Sequence, residues 1–157
     1  MIKVRLPIPE DKDDLFKWRN DKHSIEMFLN SETVTLEDHQ KWFSEILSSN
    51  INKHLFICLN QKNEKIGVVR FDIKNTNAEI SINIAPEMRG KSLGKHCLIE
   101  TFIFAKKHIP DVEVLTATIK NINKASQKVF ESAGFNFVSE VDSYLIYNKK
   151  FNSPFEL

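Results

Sequence analysis

The segment ISINIAPEMRGKSLGK, residues 80–95, changes character twice in a short span. Its first part alternates apolar and polar side chains as a strand does, and it stops at Pro86, which has no N–H to extend a ladder. A loop with Arg89, Gly90 and Lys91 follows, and a helix is predicted from near Ser92, with Leu93, Gly94 and Lys95 at its start. Backbone N–H groups at a helix N-terminus are unpaired and carry the positive end of the helix dipole, so this order of elements suits a phosphate. Gly90 and Gly94 allow close backbone approach, while Arg89, Lys91 and Lys95 add charge. A Walker loop requires a glycine at the position of Ala85, and no G-x-G-x-x-G fingerprint is present.

Working outward, the hydrophobic period switches repeatedly. Ile2, Val4 and Leu6 alternate as a short strand, and Glu10 to Asp21 reads as a helix with Leu15 and Trp18 on one face. Lys22 to Val34 reads as polar and irregular. Thr35 is an N-cap candidate with Asp38 three residues on, and the helix it opens turns Leu36, His39, Trp42, Phe43, Ile46 and Leu47 to one face. After a Ser48-Ser49-Asn50 break come strands at His54–Leu59, Lys65–Ile73 and Ala78–Ala85, joined by Asn-rich turns. Downstream of the loop, Leu93 to Lys107 is a helix, Val112 to Ile119 a strand and Lys124 to Ala133 a helix stopped at Gly134. Phe135 to Tyr147 is a final strand pair. The expectation is one α+β domain over residues 1–157, with about seven strands in a mostly antiparallel mixed sheet and four flanking helices.

Composition narrows the function. The chain has 157 residues, with 22 Lys plus Arg against 21 Asp plus Glu, a formal net charge of +1. That balance argues against a nucleic-acid partner, which calls for a basic excess, but it leaves room for a local cationic pocket. No apolar run approaches the roughly 20 residues of a membrane span, and the N-terminus lacks a signal-peptide core, so no membrane partner and a cytoplasmic location are expected. Cys58 and Cys97 read as buried free thiols, and the five His residues show no metal-ligand spacing, so no metal is expected.

A second segment gives the loop a context. NKASQKVFESAGF, residues 123–135, together with Arg89-Gly90-Lys91-Ser92-Leu93-Gly94, resembles the two signatures of the GNAT N-acetyltransferases, in the family's order and separated by a helix and a strand. Ser92 stands where that family's pyrophosphate loop has its first glycine; a Cβ there requires helical backbone angles, and Ser is an N-cap residue type. The resemblance implies a sheet splayed between its fourth and fifth strands and acetyl-CoA as cosubstrate. It places Ile84, Arg89, Gly90, Lys91, Ser92, Leu93, Gly94, Lys95, Asn123, Ser126 and Phe130 on the cofactor. The Ile84 N–H, next to Ala85-Pro86, would be the oxyanion donor. Many relatives have a tyrosine acid where this chain has Phe130, so Tyr144 is the fallback donor. Glu79, which shares a strand face with Ser81 and Asn83, is the expected base, acting through water. A monomer or homodimer is expected.

The acceptor side resembles a subgroup acting on nucleotide-linked amino sugars, the UDP-4-amino-sugar N-acetyltransferases of pseudaminic and legionaminic acid biosynthesis. The resemblance is carried by Trp18-Arg19-Asn20-Asp21, Met27-Phe28-Leu29-Asn30, Thr35 to Phe43 and Val68-Val69-Arg70-Phe71-Asp72. It places Trp18, Arg19, Asn20, Phe28, His39 and Arg70 on the acceptor: rings stack on sugar or base, and Arg forks grip phosphates. The competing readings are a protein N-terminal acetyltransferase of the ribosomal-protein kind, an aminoglycoside acetyltransferase, and a non-catalytic module that binds coenzyme A.

Overall fold

The apolar run Leu55–Leu59 is buried on both sides of its strand, and this decides the layering. In the computed structural model, which describes residues 1–48 and 52–151, that run belongs to β2 (Lys53–Leu59). The Ser49-Asn50 end of the expected break lies outside the described residues. Before β2 come β1 (Lys3–Arg5), α1 (Lys12–Arg19), α2 (Lys22–Met27) and α3 (Leu36–Leu47). After it come β3 (Lys65–Lys74), β4 (Asn77–Ile84), α4 (Gly94–Ala105), β5 (Val114–Lys120), α5 (Lys124–Ser132), β6 (Asn136–Val141) and β7 (Tyr144–Lys150). Successive side chains of β2 point to opposite faces. Phe56 and Cys58 join the core beneath α4 and α5, with Phe71, Leu98, Phe102, Leu115 and Phe130. Leu55, Ile57 and Leu59 join Leu15, Trp18, Phe43 and Ile46 beneath α1 and α3. Each such side chain contributes about 2 kcal/mol when buried, so both faces of the sheet must be covered.

The seven strands run in the order β1-β2-β3-β4-β5-β7-β6. Every pair is antiparallel except β4 and β5, which α4 connects. That parallel ladder holds only at Asn77↔Val114, Ala78↔Leu115 and Glu79↔Thr116. The sheet is splayed where it was expected to be, but the parting begins at Glu79 and not at Pro86. Its side chain is part of the cause: Glu79 Oε1, in place of a main-chain carbonyl, accepts the Thr118 N–H at 2.9 Å.

Two further expectations change. Lys22 to Val34 is not irregular throughout, because Asp21 caps a fifth helix, α2, by accepting the Ser24 N–H at 3.2 Å. Ser92 is neither helical nor a cap; it lies at φ 57°, and Leu93 takes the N-cap position of α4. The Thr35 cap is where the sequence puts it, with Thr35 Oγ1 accepting from Asp38 N, and Asn123 Oδ1 caps α5 by accepting from Ser126 N, each at 3.2 Å. Cys58 and Cys97 are buried and free. No helix among the described residues is long and apolar enough to cross a membrane.

Candidate active site

Beyond Glu79 the two central strands separate, and the gap opens into a cleft of about 960 Å³. Glu79 lines it with Ser81 and Asn83. Burial pushes the Glu79 carboxyl upward; bonds from Thr118 pull it down and Asp72 pushes it up, and the net shift is upward. At the far end of β4, the Ala85 N–H bonds the Ile66 carbonyl at 2.8 Å. In antiparallel alternation the neighbouring Gly67–Ile84 pair then turns its polar groups away from the shared ladder. The Ile84 carbonyl accordingly receives Arg89 Nε at 3.1 Å, and the Ile84 N–H is directed to the side from which β5 has withdrawn. A fixed N–H aimed into a gap suits developing negative charge on an acyl oxygen.

One wall of the cleft is the loop from Arg89 to Gly94 with the start of α5. Gly90 and Ser92 both take left-handed backbone angles, φ 74° and 57°. A Cβ on Gly90 would meet nothing within 4 Å, so glycine is there for its backbone angle and not for space. Ser92 adopts the same region with a Cβ, at a cost of about 1 kcal/mol, which is why a glycine would suit its place. The loop delivers the chain to the N-terminus of α4, whose first-turn amides, Gly94 to His96, have no acceptor within the helix. Amides so placed fit a pyrophosphate. Lys91 and Leu93 line this wall with Asn123, Ser126 and Phe130. Lys95 sits in the first turn of α4 but does not line the cleft. Phe130 is almost wholly buried, edge-on to Phe135 at 5.0 Å between ring centroids.

The opposite wall comes from the end of α1, α2, the segment after it, α3 and β3. The Arg19 guanidinium lies over the Phe28 ring at 4.8 Å and that of Arg70 over Trp42 at 5.4 Å. Arg70 Nε pairs with Asp72 at 2.9 Å, and Arg19 Nη2 donates to the Asn30 carbonyl at 3.2 Å. Arg19 Nη1 and Trp42 Nε1 are buried and make no hydrogen bond to the described residues. Burial and the like charge of Arg70 both weigh against the Arg19 cation, so its pKa is lowered.

Other expected contacts serve this wall from behind. Trp18 is buried in the core under α1 and α3 and does not reach the cleft. Asn20 clasps Val34 with both ends of its amide, each at 2.8 Å, and so fixes the α2–α3 connection. His39 lies at the cleft's edge, nearly buried among Phe16, Trp42 and Phe43, with Nε2 at 2.8 Å from the Lys12 carbonyl. Burial pushes its pKa down. Tyr144 opens β7 beside Lys120 and Val141, outside the cleft lining. The sequence reading missed Ser24 and Asp21, and the Asp21-x-x-Ser24 spacing of a helix cap was the signal that marked them. Among the described residues no cluster of three or more His, Cys, Asp or Glu could hold a metal ion.

Comparison with known proteins agrees with this geometry. The Acetyltransferase (GNAT) domain family matches residues 2–136. YwnH of Bacillus subtilis (strain 168), provisionally assigned as a phosphinothricin acetyltransferase, is 32% identical over 111 residues, 67% of this chain and 65% of that protein. The chain thus matches just under two thirds of that relative's length. A domain from Methanocaldococcus jannaschii DSM 2661 superposes with a TM-score of 0.80 at 27% identity, covering 96% of this chain and 98% of that one. The spermidine N-acetyltransferase from Vibrio cholerae, in complex with CoA and spermine, gives a TM-score of 0.80 at 14% identity, covering 94% and 92%, a likeness of fold. The matching family spans most of the chain, and the one parallel pair, β4–β5, in an otherwise antiparallel sheet fits its fold: the protein belongs to the GNAT acetyltransferase family.

Proposed function

We propose that the chain transfers the acetyl group of acetyl-CoA to the primary amine of a nucleotide-linked amino sugar. The observation that carries the acceptor class is the pair of ring-stacked guanidiniums, Arg19 on Phe28 and Arg70 on Trp42, with two buried donors, Arg19 Nη1 and Trp42 Nε1, that no acceptor among the described residues meets. Donors of this kind call for ligand oxygens carrying negative charge. A nucleotide's phosphates supply them, and its base and sugar supply flat surfaces for the rings. A polycationic acceptor would meet the like charge of Arg19, whereas Arg70 is already paired with Asp72.

In this reading the cosubstrate's pyrophosphate lies against the amides at the start of α4, and the thioester points into the gap between β4 and β5. Glu79 takes a proton from the acceptor's ammonium through water. The freed amine attacks the thioester carbon, and the Ile84 N–H holds the oxyanion. The C–N bond forms, the nitrogen gives up its second proton to solvent, the C–S bond breaks, and the thiolate takes a proton from solvent. A thiol pKa of about 8.5 makes a dedicated acid unnecessary, consistent with Phe130 at the position where relatives carry tyrosine. A small acidic amine such as phosphinothricin, the acceptor in the name of the B. subtilis relative, would satisfy the same donors and is the second reading.

The test measures release of the coenzyme A thiol with UDP-4-amino sugars, phosphinothricin, N-terminal peptides, an aminoglycoside and spermidine in parallel. The UDP sugars are expected to give the highest kcat/KM, and Arg19→Met to lower it about a hundredfold with coenzyme A binding unchanged. A preference for the cationic amines would overturn the acceptor class. Coenzyme A binding with no amine acetylated would favour the non-catalytic module.

A further inference from the structure

Arg89 begins the loop that faces the cosubstrate, yet its guanidinium turns the other way. Nε donates to the Ile84 carbonyl at 3.1 Å, Nη1 to Asp21 Oδ2 at 2.7 Å and Nη2 to Ser24 Oγ at 2.8 Å, with Asn83 Oδ1 3.5 Å from Nη2. Ser24 Oγ in turn donates to Asn83 Oδ1 at 3.0 Å, and Asn83 Nδ2 donates to the Trp18 carbonyl at 3.2 Å. Ser24 is only 3% exposed. The network joins three things: the cosubstrate loop, the end of β4 that carries the Ile84 N–H, and the start of α2. α2 ends at Met27 and the chain runs on directly into Phe28 and Asn30, all three on the acceptor wall.

We propose that Arg89 is a positioning residue that couples the cosubstrate loop to the acceptor wall and to Ile84, and that it is not a phosphate ligand. The inference rests on the reading that residues 89–94 hold acetyl-CoA. A cosubstrate bound to the loop's backbone amides fixes the turn from which Arg89 springs. The planar fork then holds α2 and the Ile84 carbonyl in one arrangement. Lysine has a single ammonium and cannot reach Asp21, Ser24 and Ile84 together, although it serves well as a phosphate contact. The Asp21→Asn change leaves the Arg89 charge in place for any phosphate and removes its strongest protein partner.

The experiment uses Arg89→Lys and Asp21→Asn in the full chain, with coenzyme A itself as the probe, in isothermal titration and amide hydrogen exchange. Coenzyme A should bind both variants within about threefold of the wild-type Kd. In the wild type it should slow exchange in residues 89–94 and also in residues 21–30. In both variants the loop protection should persist while protection over 21–30 falls about tenfold, the size of an ordinary coupling. Protection of 21–30 that persists in Asp21→Asn overturns the coupling. So does a loss of coenzyme A affinity of about tenfold or more in a third variant, Arg89→Gln, that Asp21→Asn does not share, since removal of the charge costs a phosphate ligand its contact. A wild-type chain that binds no coenzyme A removes the cosubstrate reading along with this one. A chain that binds it with 21–30 unchanged removes only the coupling.

Discussion

Glu79 is the residue on which the cleft and the proposed chemistry meet. Its carboxylate accepts the Thr118 N–H, which fixes its rotamer at the point where β4 and β5 part, while burial raises its pKa above the ordinary carboxylate value. A base works when deprotonated, so kcat/KM should show an acid limb displaced upward from the usual carboxylate range. Glu79→Gln keeps an oxygen for the Thr118 N–H and removes the proposed base. The expected result is a loss of about a hundredfold in kcat/KM and disappearance of that limb. A pH–rate profile of unchanged shape excludes Glu79 as the base. At this scale the sequence was informative about residue type and weak on direction. Arg89 was legible as a cation near a glycine loop, but only packing shows it turned toward Asp21 and Ser24. Trp18 and Arg19 are neighbours in sequence, yet one faces the core and the other the cleft.

Among the elements, those with a long period or a strong cap were legible: α3 behind Thr35, α5 behind Asn123, and the three strands of the central meander. The six-residue α2 was not, because so short a helix shows less than two turns of periodicity and its cap residue Asp21 was absorbed into the preceding helix. The site inherits this pattern. The loop wall, proposed here for the cosubstrate, was readable because a strand, a loop and a helix follow one another in sequence; the wall proposed for the acceptor joins segments that only the tertiary fold brings together. Gly94 shows what holds the first wall in place. A Cβ there would stand 2.7 Å from Val129 Cγ2 and 3.0 Å from Cγ1, so this glycine sets how closely α4 approaches α5. Valine is stiff at χ1 and cannot swing aside. Gly94→Ala should therefore cost about 1–3 kcal/mol in urea unfolding and weaken coenzyme A binding. Adding Val129→Ala should recover most of both losses. Additive losses in the double variant would show that the two helices do not meet through this pair.

For the molecule as a whole, a net charge of +1 conceals a division of its charges between binding and folding. Arg19, Arg70 and Lys91 line the cleft, while Arg5 and Lys65 converge on Asp11, a carboxylate with no exposed surface beyond the edge of β1. Arg5 meets both Asp11 oxygens, at 2.7 and 2.9 Å, Lys65 lies at 2.9 Å, and the Ile8 N–H adds a bond at 2.9 Å. Burial alone pushes the Asp11 carboxyl up; the bonds from Arg5, Ile8 and Lys65 overcome it and hold the pKa at about 2, against an ordinary 3.8. A depressed folded-state pKa stabilises the fold fully above the unfolded value and ceases to do so as pH falls through the folded one. The network therefore contributes about 2 kcal/mol at neutral pH, lost progressively from about pH 5 down to pH 2. That is a sizeable part of a domain's usual 5–15 kcal/mol, roughly speaking. Asp11→Asn should cost about 3 kcal/mol at pH 7, because it leaves two cations without their buried partner. Urea unfolding at pH 7, 5, 4, 3 and 2 should show the variant's stability falling with acid less steeply than the wild type's, by about 2 kcal/mol over that range. Parallel acid slopes in the two proteins would place the acid sensitivity of the fold elsewhere.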